Sequence, residues 1–253
     1  MRPPTSLVRH PPIRVSLFVT CIVDQLWPEV GAATLAVLRR AGCTVEFDER
    51  QTCCGQPAFN TGYRTEAQKL ARRFIEIFEE SGADAIVSPS GSCTAMVRHY
   101  PSLFPDDADW RARARRVAER THELSAFLVR VLGVDDVGAT FTGRIAWHDA
   151  CHALRDLGIR SEPRRLLDRV EGAEIVELQH ADACCGFGGT FSVKFPELSA
   201  AIVDRKVREI EEAGIDAVVA LDTSCLLQIG GRLSRIGSPV RAMHLAEILA
   251  SPR

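Results

Sequence analysis

The cysteines of this chain fall into two sets of four that follow one spacing. In chain order the sets are Cys21, Cys53, Cys54 and Cys93, and then Cys151, Cys184, Cys185 and Cys225. Matching positions lie 130 to 132 residues apart. Four soft thiolates in one place select an iron–sulfur cluster or a zinc ion. The spacing therefore predicts two tetrathiolate sites, one in each half of the chain.

The sequence around the cysteines repeats as well. Residues 52–93 and 183–225 both run through a cysteine pair, a glycine-rich turn, an amphipathic segment, an apolar run and a Ser-Cys pair. Duplication of one structural unit explains this similarity. A length of 253 residues suits two domains of about 125 residues each. We therefore expect one cysteine-rich domain at 1–138 and a second at 139–253.

Apolar periodicity predicts the same order of elements in both halves. The first half has predicted strands at 14–20, 44–47 and 85–88, and helices at 30–40, 65–81 and 109–131, with Thr65 as a helix cap. The second half has predicted strands at 144–148, 174–178, 217–221 and 240–243, and helices at 162–170, 196–213 and 245–249. This alternation predicts an α/β fold of two pseudo-symmetric units, each a mostly parallel sheet flanked by helices.

Every cysteine of the two sets follows a predicted strand. The carboxyl ends of parallel strands meet at one edge of a sheet, and ligands bind there. We therefore expect the four thiols of each half to converge, with the two sites near a pseudo-twofold axis. Cys43 lies outside the repeat and is interpreted as a buried structural thiol.

Glycines and aromatic residues next to the cysteine pairs suit a cluster pocket. Backbone N–H groups can approach a cluster at Gly55, Gly186, Gly188 and Gly189. Shielding from water is expected of Phe59, Phe187 and Phe191. Zinc is the alternative at either site, but structural zinc usually takes short knuckles with two to four residues between cysteines. Wide spacings and vicinal pairs favour a [4Fe–4S] cluster in each half, with zinc possible at one site.

Two histidines bracket Cys151 in the segment WHDACH. His148 and His152 could cap or hydrogen-bond backbone groups, hydrogen-bond a cluster, bind metal directly or relay protons. Asp149 could orient either ring. We expect both histidines at the cofactor site.

Composition excludes several classes of protein. The net charge of −2 implies no strong attraction to nucleic acid, and no apolar run approaches the roughly 20 residues of a membrane span. The basic, proline-rich residues 1–14 precede a short apolar run without a cleavage site, so we expect a first strand and no secretory signal. Free thiols then indicate a reducing, cytoplasmic setting. No nucleotide or flavin fingerprint occurs in the sequence.

These features resemble the cysteine-rich CCG domain, which occurs twice in one of the subunits of heterodisulfide reductases and in iron–sulfur subunits of glycolate oxidase and anaerobic glycerol-3-phosphate dehydrogenase. The resemblance to the lactate utilization protein A family is closer and spans nearly the whole chain. The sequence segments that carry this resemblance are VSLFVTCIVD, CCGQPAFNTGY, VSPSGSCTAM, CCGFGGTFSVK and IGGRL. That family implies an electron-transfer subunit, inactive alone, that acts with co-encoded iron–sulfur and lactate-utilization partners to oxidise L-lactate to pyruvate.

The chain departs from the heterodisulfide-reductase pattern at two positions. That pattern ends in C-x-x-C and gives five cysteines to a noncubane cluster, whereas Ser90 and Asp222 occupy the earlier cysteine's place here. The resemblance therefore implies four-cysteine ligation, with an oxygen ligand from Ser90 or Asp222 as an option. A heterodisulfide-reductase-like thiol or disulfide reductase subunit and a zinc-stabilised assembly scaffold are the alternative functions.

Overall fold

The structure is a computed structural model that describes residues 12–252. Residues 1–11, the larger part of the basic, proline-rich segment, lie outside this range. Within the described residues, no helix is both long enough and apolar enough to cross a membrane.

The first half forms a parallel four-stranded sheet with the strand order β2-β1-β3-β4. Its strands are β1 (Arg14–Leu17), β2 (Thr44–Glu46), β3 (Ala85–Ser88) and β4 (Thr121–Glu123). Its helices are α1 (Cys21–Leu26), α2 (Pro28–Arg40), α3 (Gln56–Asn60), α4 (Arg64–Glu80), α5 (Gly91–His99), α6 (Ala108–Arg120) and α7 (Leu124–Ala126). A 3₁₀ turn at Tyr100–Leu103 follows α5, and a π-helical turn at Phe127–Val131 follows α7.

The second half forms a parallel sheet of the same order, β6-β5-β7-β8. Its strands are β5 (Thr140–Trp147), β6 (Glu171–Val176), β7 (Ala217–Ala220) and β8 (Arg241–His244). Its helices are α8 (Cys151–Arg155), α9 (Ser161–Leu167), α10 (Thr190–Lys194), α11 (Pro196–Glu212), α12 (Thr223–Ile236) and α13 (Leu245–Ala250). The predicted α/β fold of two similar units is confirmed. The boundary between residues 138 and 139 stays a prediction.

Individual hydrogen bonds, like the strands, are repeated in both halves. The amide of Arg14 donates to Asp84 Oδ2 at 2.9 Å, and the amide of Arg144 donates to Asp216 Oδ2 at 2.7 Å. Each contact ties a residue of a central strand to the turn before the strand beside it. The duplication seen in the sequence therefore extends to single hydrogen bonds.

Two sequence-based expectations for the first half differ from the structure. The segment 109–131 is mostly helical, as predicted, but β4 interrupts it and pairs with β3 from Ile86↔Thr121 to Ser88↔Glu123. Arg98 donates to the carbonyl of Thr121, where α6 ends. The predicted cap at Thr65 is wrong, because α4 begins at Arg64 and its cap position is Tyr63.

The halves share one apolar core and pack closely against each other. A continuous cluster of buried side chains runs through both sheets, from Val15 to Leu249. Arg40 at the end of α2 donates to the carbonyls of Leu249 and Ala250 in α13, at 3.0 and 2.7 Å. At Gly91 the halves come so close that an added Cβ would lie 2.6 Å from Leu221 Cδ1. This packing places the cysteine-bearing edges of the two sheets face to face.

Candidate metal centres

All eight repeated cysteines line a single cavity between the halves, with a volume of about 140 Å³. The cavity also receives Asp222, His152 and the glycine-rich turn at Gly188 and Gly189. Each cysteine follows a strand of its sheet, as predicted, and sits in the loop or helix start beyond it. The convergence is therefore confirmed. That these thiols bind metal stays a prediction.

In the first set, the thiols contact one another directly. Cys21 Sγ lies 3.7 Å from Cys53 Sγ. Hydrogen bonds from the thiols of Cys21 and Cys54 lower the pKa of Cys53 to about 3, while the same contact raises the pKa of Cys21. The neighbouring thiols and the Gly55 amide therefore stabilise negative charge on Cys53.

In the second set, the closest pair is Cys185 and Cys225, whose sulfurs are 3.1 Å apart. A hydrogen bond with Cys185, together with burial, raises the pKa of Cys184, and burial raises the pKa of Cys151. The Cys225 pKa is lowered by its bond with Cys185 but raised more by burial and neighbouring charges. These thiols are therefore neutral unless a bound cation displaces their protons.

The glycine after each cysteine pair has the same conformation and contact in both halves. Gly55 and Gly186 both have φ of +85°, a region that side chains rarely adopt. Their amides lie 3.4 Å from Cys53 Sγ and 3.3 Å from Cys184 Sγ, with the N–H pointing at the sulfur. Backbone donors therefore reach the cysteine sulfurs at these two positions, and their predicted approach to a cluster stays a prediction. Gly188 and Gly189 line the cavity without such a bond in the described structure.

The two histidines around Cys151 lie in different environments. His148 is buried, and neither ring nitrogen has a hydrogen-bond partner within the described residues. Burial lowers its pKa to about 4, so the ring is neutral. His152 is half-exposed at the cavity and its Nδ1 lies 2.6 Å from Asp156 Oδ2.

The expectation that Asp149 orients one of these rings is wrong. Its carboxylate accepts from Trp147 Nε1 at 2.7 Å and forms a bidentate pair with Arg164, both bonds 2.9 Å long. Burial raises the pKa of Asp149, but these donors outweigh it and bring the pKa below its ordinary value. Among the aromatic residues expected to shield a cluster, Phe187 lines the cavity, while Phe59 lies under Arg64, 3.7 Å from ring centre to guanidinium.

Asp222 joins the two halves at the cavity. Its Oδ2 accepts the amide of Ser92 at 2.7 Å and its Oδ1 accepts the Ser92 hydroxyl at 2.9 Å. A carboxylate of the second half therefore caps α5 of the first half. Ser90 caps the same helix through the amide of Cys93 at 3.3 Å. The sequence suggests an oxygen ligand at these positions, but it does not reveal this link, because Ser92 and Asp222 are 130 residues apart.

The donor set suits a soft metal or an iron–sulfur group. Eight thiols face one cavity, and within the described residues a compact group of possible metal ligands is formed by His148, Cys185 and Cys225. Thiolates and imidazole are the ligands that iron–sulfur clusters and zinc take from proteins.

Comparison with known proteins agrees with this description. The chain matches the cysteine-rich CCG domain family twice, at residues 15–98 and 145–230, which defines it as a duplicated CCG protein. It is 51% identical to lactate utilization protein A of Geobacillus kaustophilus over 94% of this chain and 98% of that protein. It is 50% identical to the protein of the same name from Bacillus subtilis, over 94% of this chain and all of that protein. The chain belongs to the lactate utilization protein A family.

Similarity to solved structures is remote. A putative Asp/Glu racemase from Yersinia pestis covers 94% of this chain with 12% identity and a TM-score of 0.36. A similarity this low says nothing about function.

Proposed function

We propose that this protein is a cytoplasmic iron–sulfur electron-transfer subunit of a complex that oxidises L-lactate to pyruvate. The observation that carries the proposal is the convergence of eight thiols, four from each repeat, on one cavity. The names of its close relatives supply the connection to lactate. The expected ligands are Cys21, Cys53, Cys54 and Cys93 for one centre and Cys151, Cys184, Cys185 and Cys225 for the other.

The chain's own groups suit a cluster pocket of this kind. Such clusters, when bound, pass single electrons. The Gly55 and Gly186 amides donate toward ligand sulfurs and stabilise their negative charge. Tyr100, which is buried, donates to the carbonyl of Cys54 at 2.7 Å and holds the cysteine pair in place. Asp222 holds the start of α5, and with it the backbone around Cys93, against the second half.

Lactate oxidation releases two electrons and a proton, so it needs a base and a two-electron acceptor. The sequence carries no fingerprint for a nicotinamide or flavin. The proposal therefore assigns those parts to the co-encoded partners, and this chain receives electrons from them without turning over lactate alone.

Anaerobic purification tests the cofactor. Two [4Fe–4S] clusters require about eight iron and eight sulfide per chain and a brown protein. Colourless protein that holds zinc would contradict the proposal and favour the assembly scaffold.

Lactate turnover tests the role. We expect L-lactate-dependent reduction of an acceptor by the complex with its partners, its loss when this chain is left out, and none from this chain alone. Turnover by this chain alone would contradict the electron-carrier role.

A thiol or disulfide reductase is the second candidate, and the low pKa of Cys53 favours it. A thiolate is the nucleophile in disulfide exchange, and the Cys21 thiol 3.7 Å away could resolve a mixed disulfide. This function requires Cys53 to be free of metal. Rapid alkylation of Cys53 in the iron-loaded protein would support it, whereas protection of Cys53 by iron supports the cluster.

A further inference from the structure

His148 is a buried side chain that carries a polar imidazole ring. Within the described residues, neither Nδ1 nor Nε2 has a hydrogen-bond partner. The carbonyl of Ala181 lies near enough to the ring to raise its pKa, but it accepts the amide of Asp149 at 3.0 Å and forms no hydrogen bond of good geometry with the ring. A buried polar group without a hydrogen-bond partner destabilises the folded protein. A ligand bound to the imidazole would remove this cost.

The sulfurs of two cysteines lie beside the ring. One ligand atom each from His148, Cys185 and Cys225 lies within 4.8 Å of the other two, and all three residues are buried. Two ligands of one metal ion, at metal–nitrogen and metal–sulfur distances of about 2.0–2.3 Å, sit roughly 3.5–4 Å apart. The three donors are therefore close enough to serve one metal centre with small movements.

The first half provides a natural control for this position. Phe18 corresponds to His148: each follows a central strand, and each amide donates to the third strand's carbonyl at 2.9 Å, Phe18 to Val87 and His148 to Val219. Phe18 packs against Phe74, with ring centres 4.8 Å apart. An apolar ring thus fills this position in the first half, so the backbone here does not require an imidazole.

We propose that His148 is a metal ligand of the second half, bound together with Cys185 and Cys225, so that this centre is a cysteine–histidine site while the first half is an all-cysteine site. The proposal rests on the proposed function for the identity of the metal as iron. One of Cys151 and Cys184 supplies the fourth ligand, and His148 takes the place of the other. Imidazole in place of thiolate raises the reduction potential of an iron–sulfur centre. The centre of the second half would therefore be reduced in preference to the centre of the first half.

Pulsed electron paramagnetic resonance on protein carrying ¹⁵N-labelled histidine tests this assignment. A Cys54→Ser background removes the first centre, so that the reduced second centre is observed alone. We expect nitrogen hyperfine coupling of a directly bound imidazole, its loss in His148→Phe and its retention in His152→Gln. If the background variant fails to fold, the labelled wild-type chain and His148→Phe give the same comparison.

The outcomes separate this inference from the proposed function. Iron in the second half without histidine coupling overturns the ligand assignment and leaves the electron-transfer role standing. Zinc in place of iron overturns the proposed cofactor, and X-ray absorption then decides the ligand. A mixed nitrogen and sulfur shell supports His148, and an all-sulfur shell rules it out.

Discussion

Phe18 and His148 occupy the same place in the two halves, and what surrounds them differs. In the first half Phe18 packs against Phe74 and Phe78 in an aromatic cluster that also holds Tyr100. In the second half the position of Phe74 is taken by Lys206, which is buried, contacts Glu209 at 3.2 Å and helps to keep His148 uncharged. The strand order and the glycine turns are shared, so the scaffold has been kept while one interior became polar.

The thiols of the two cysteine sets also differ in their electrostatics. Cys53 of the first half has a pKa lowered by its neighbouring thiols, whereas Cys184, its counterpart, has a raised pKa. Neighbouring thiols therefore favour a thiolate at Cys53, whereas burial and the Cys185 thiol disfavour one at Cys184. The two cysteine sets share their spacing, but matching thiols have different pKa values.

The largest expected effect is on metal content, and it tests whether the halves are independent. Cys54→Ser and Cys185→Ser replace matching buried cysteines, and each should remove about half of the iron, because each cluster needs its own thiolates. Iron and sulfide analysis after anaerobic purification measures this. Loss of nearly all iron in either variant would mean that the eight thiols hold one shared centre.

The next effect is on the pH dependence of stability. Glu123 and His244 lie at the ends of the fourth strands, β4 and β8, and each caps the following helix. Burial raises the pKa of Glu123 to about 7, and it lowers the pKa of His244 to about 4. On acidification below pH 7 the folded state takes up a proton at Glu123 and gains stability. Below about pH 6.5 the unfolded state takes up a proton at His244 and stability falls.

Substitution separates these opposing terms. Between pH 7 and pH 5, Glu123→Gln should lose stability more steeply than the wild type, and His244→Gln less steeply, by about 2 kcal/mol each. Urea unfolding at the two pH values measures the difference. Equal slopes in all three proteins would show that neither group titrates with a shifted pKa.

A smaller effect tests how closely the halves pack. An added Cβ at Gly91 would lie 2.6 Å from Leu221 Cδ1 and 2.7 Å from Ala153 Cβ, whereas the matching residue of the second half, Thr223, carries a side chain. Gly91→Ala should destabilise the protein by about 1–3 kcal/mol through overpacking. Gly231→Ala, in α12 with nothing within 4 Å of the added atom, is the control and should be neutral or slightly stabilising. Denaturant unfolding that ranks the two variants equally would contradict this interpretation.

The smallest expected effect is at Cys43, which has no counterpart among the repeated cysteines. It is buried in the core that runs through both halves, as predicted. Cys43→Ser should leave the iron content unchanged and lower stability by about 1 kcal/mol, since a hydroxyl replaces a buried thiol. Iron loss comparable to that in Cys185→Ser would show that Cys43 is a ligand.

The sequence predicted what depends on local pattern. Apolar runs located the strands that deliver the cysteines, and parallel pairing then required the thiols to meet. Strand β4 was missed because three residues, Thr121 to Glu123, carry no periodicity and sit between strongly helical segments. The role of Asp222 and the isolation of His148 were also not predictable, because both depend on how one half, or one loop, packs against another.

The packing of α13 on α2 has a consequence for how the chain is made. Arg40 and the carbonyls it binds are separated by about 210 residues of sequence. At a synthesis rate of about 5–20 residues per second, α2 is complete roughly 10–40 s before its last partner is translated. During that interval the first half exposes a helix face that the finished protein covers. Truncation of the C-terminus would therefore slow the folding of the first half, which is synthesised first, or leave that folding incomplete.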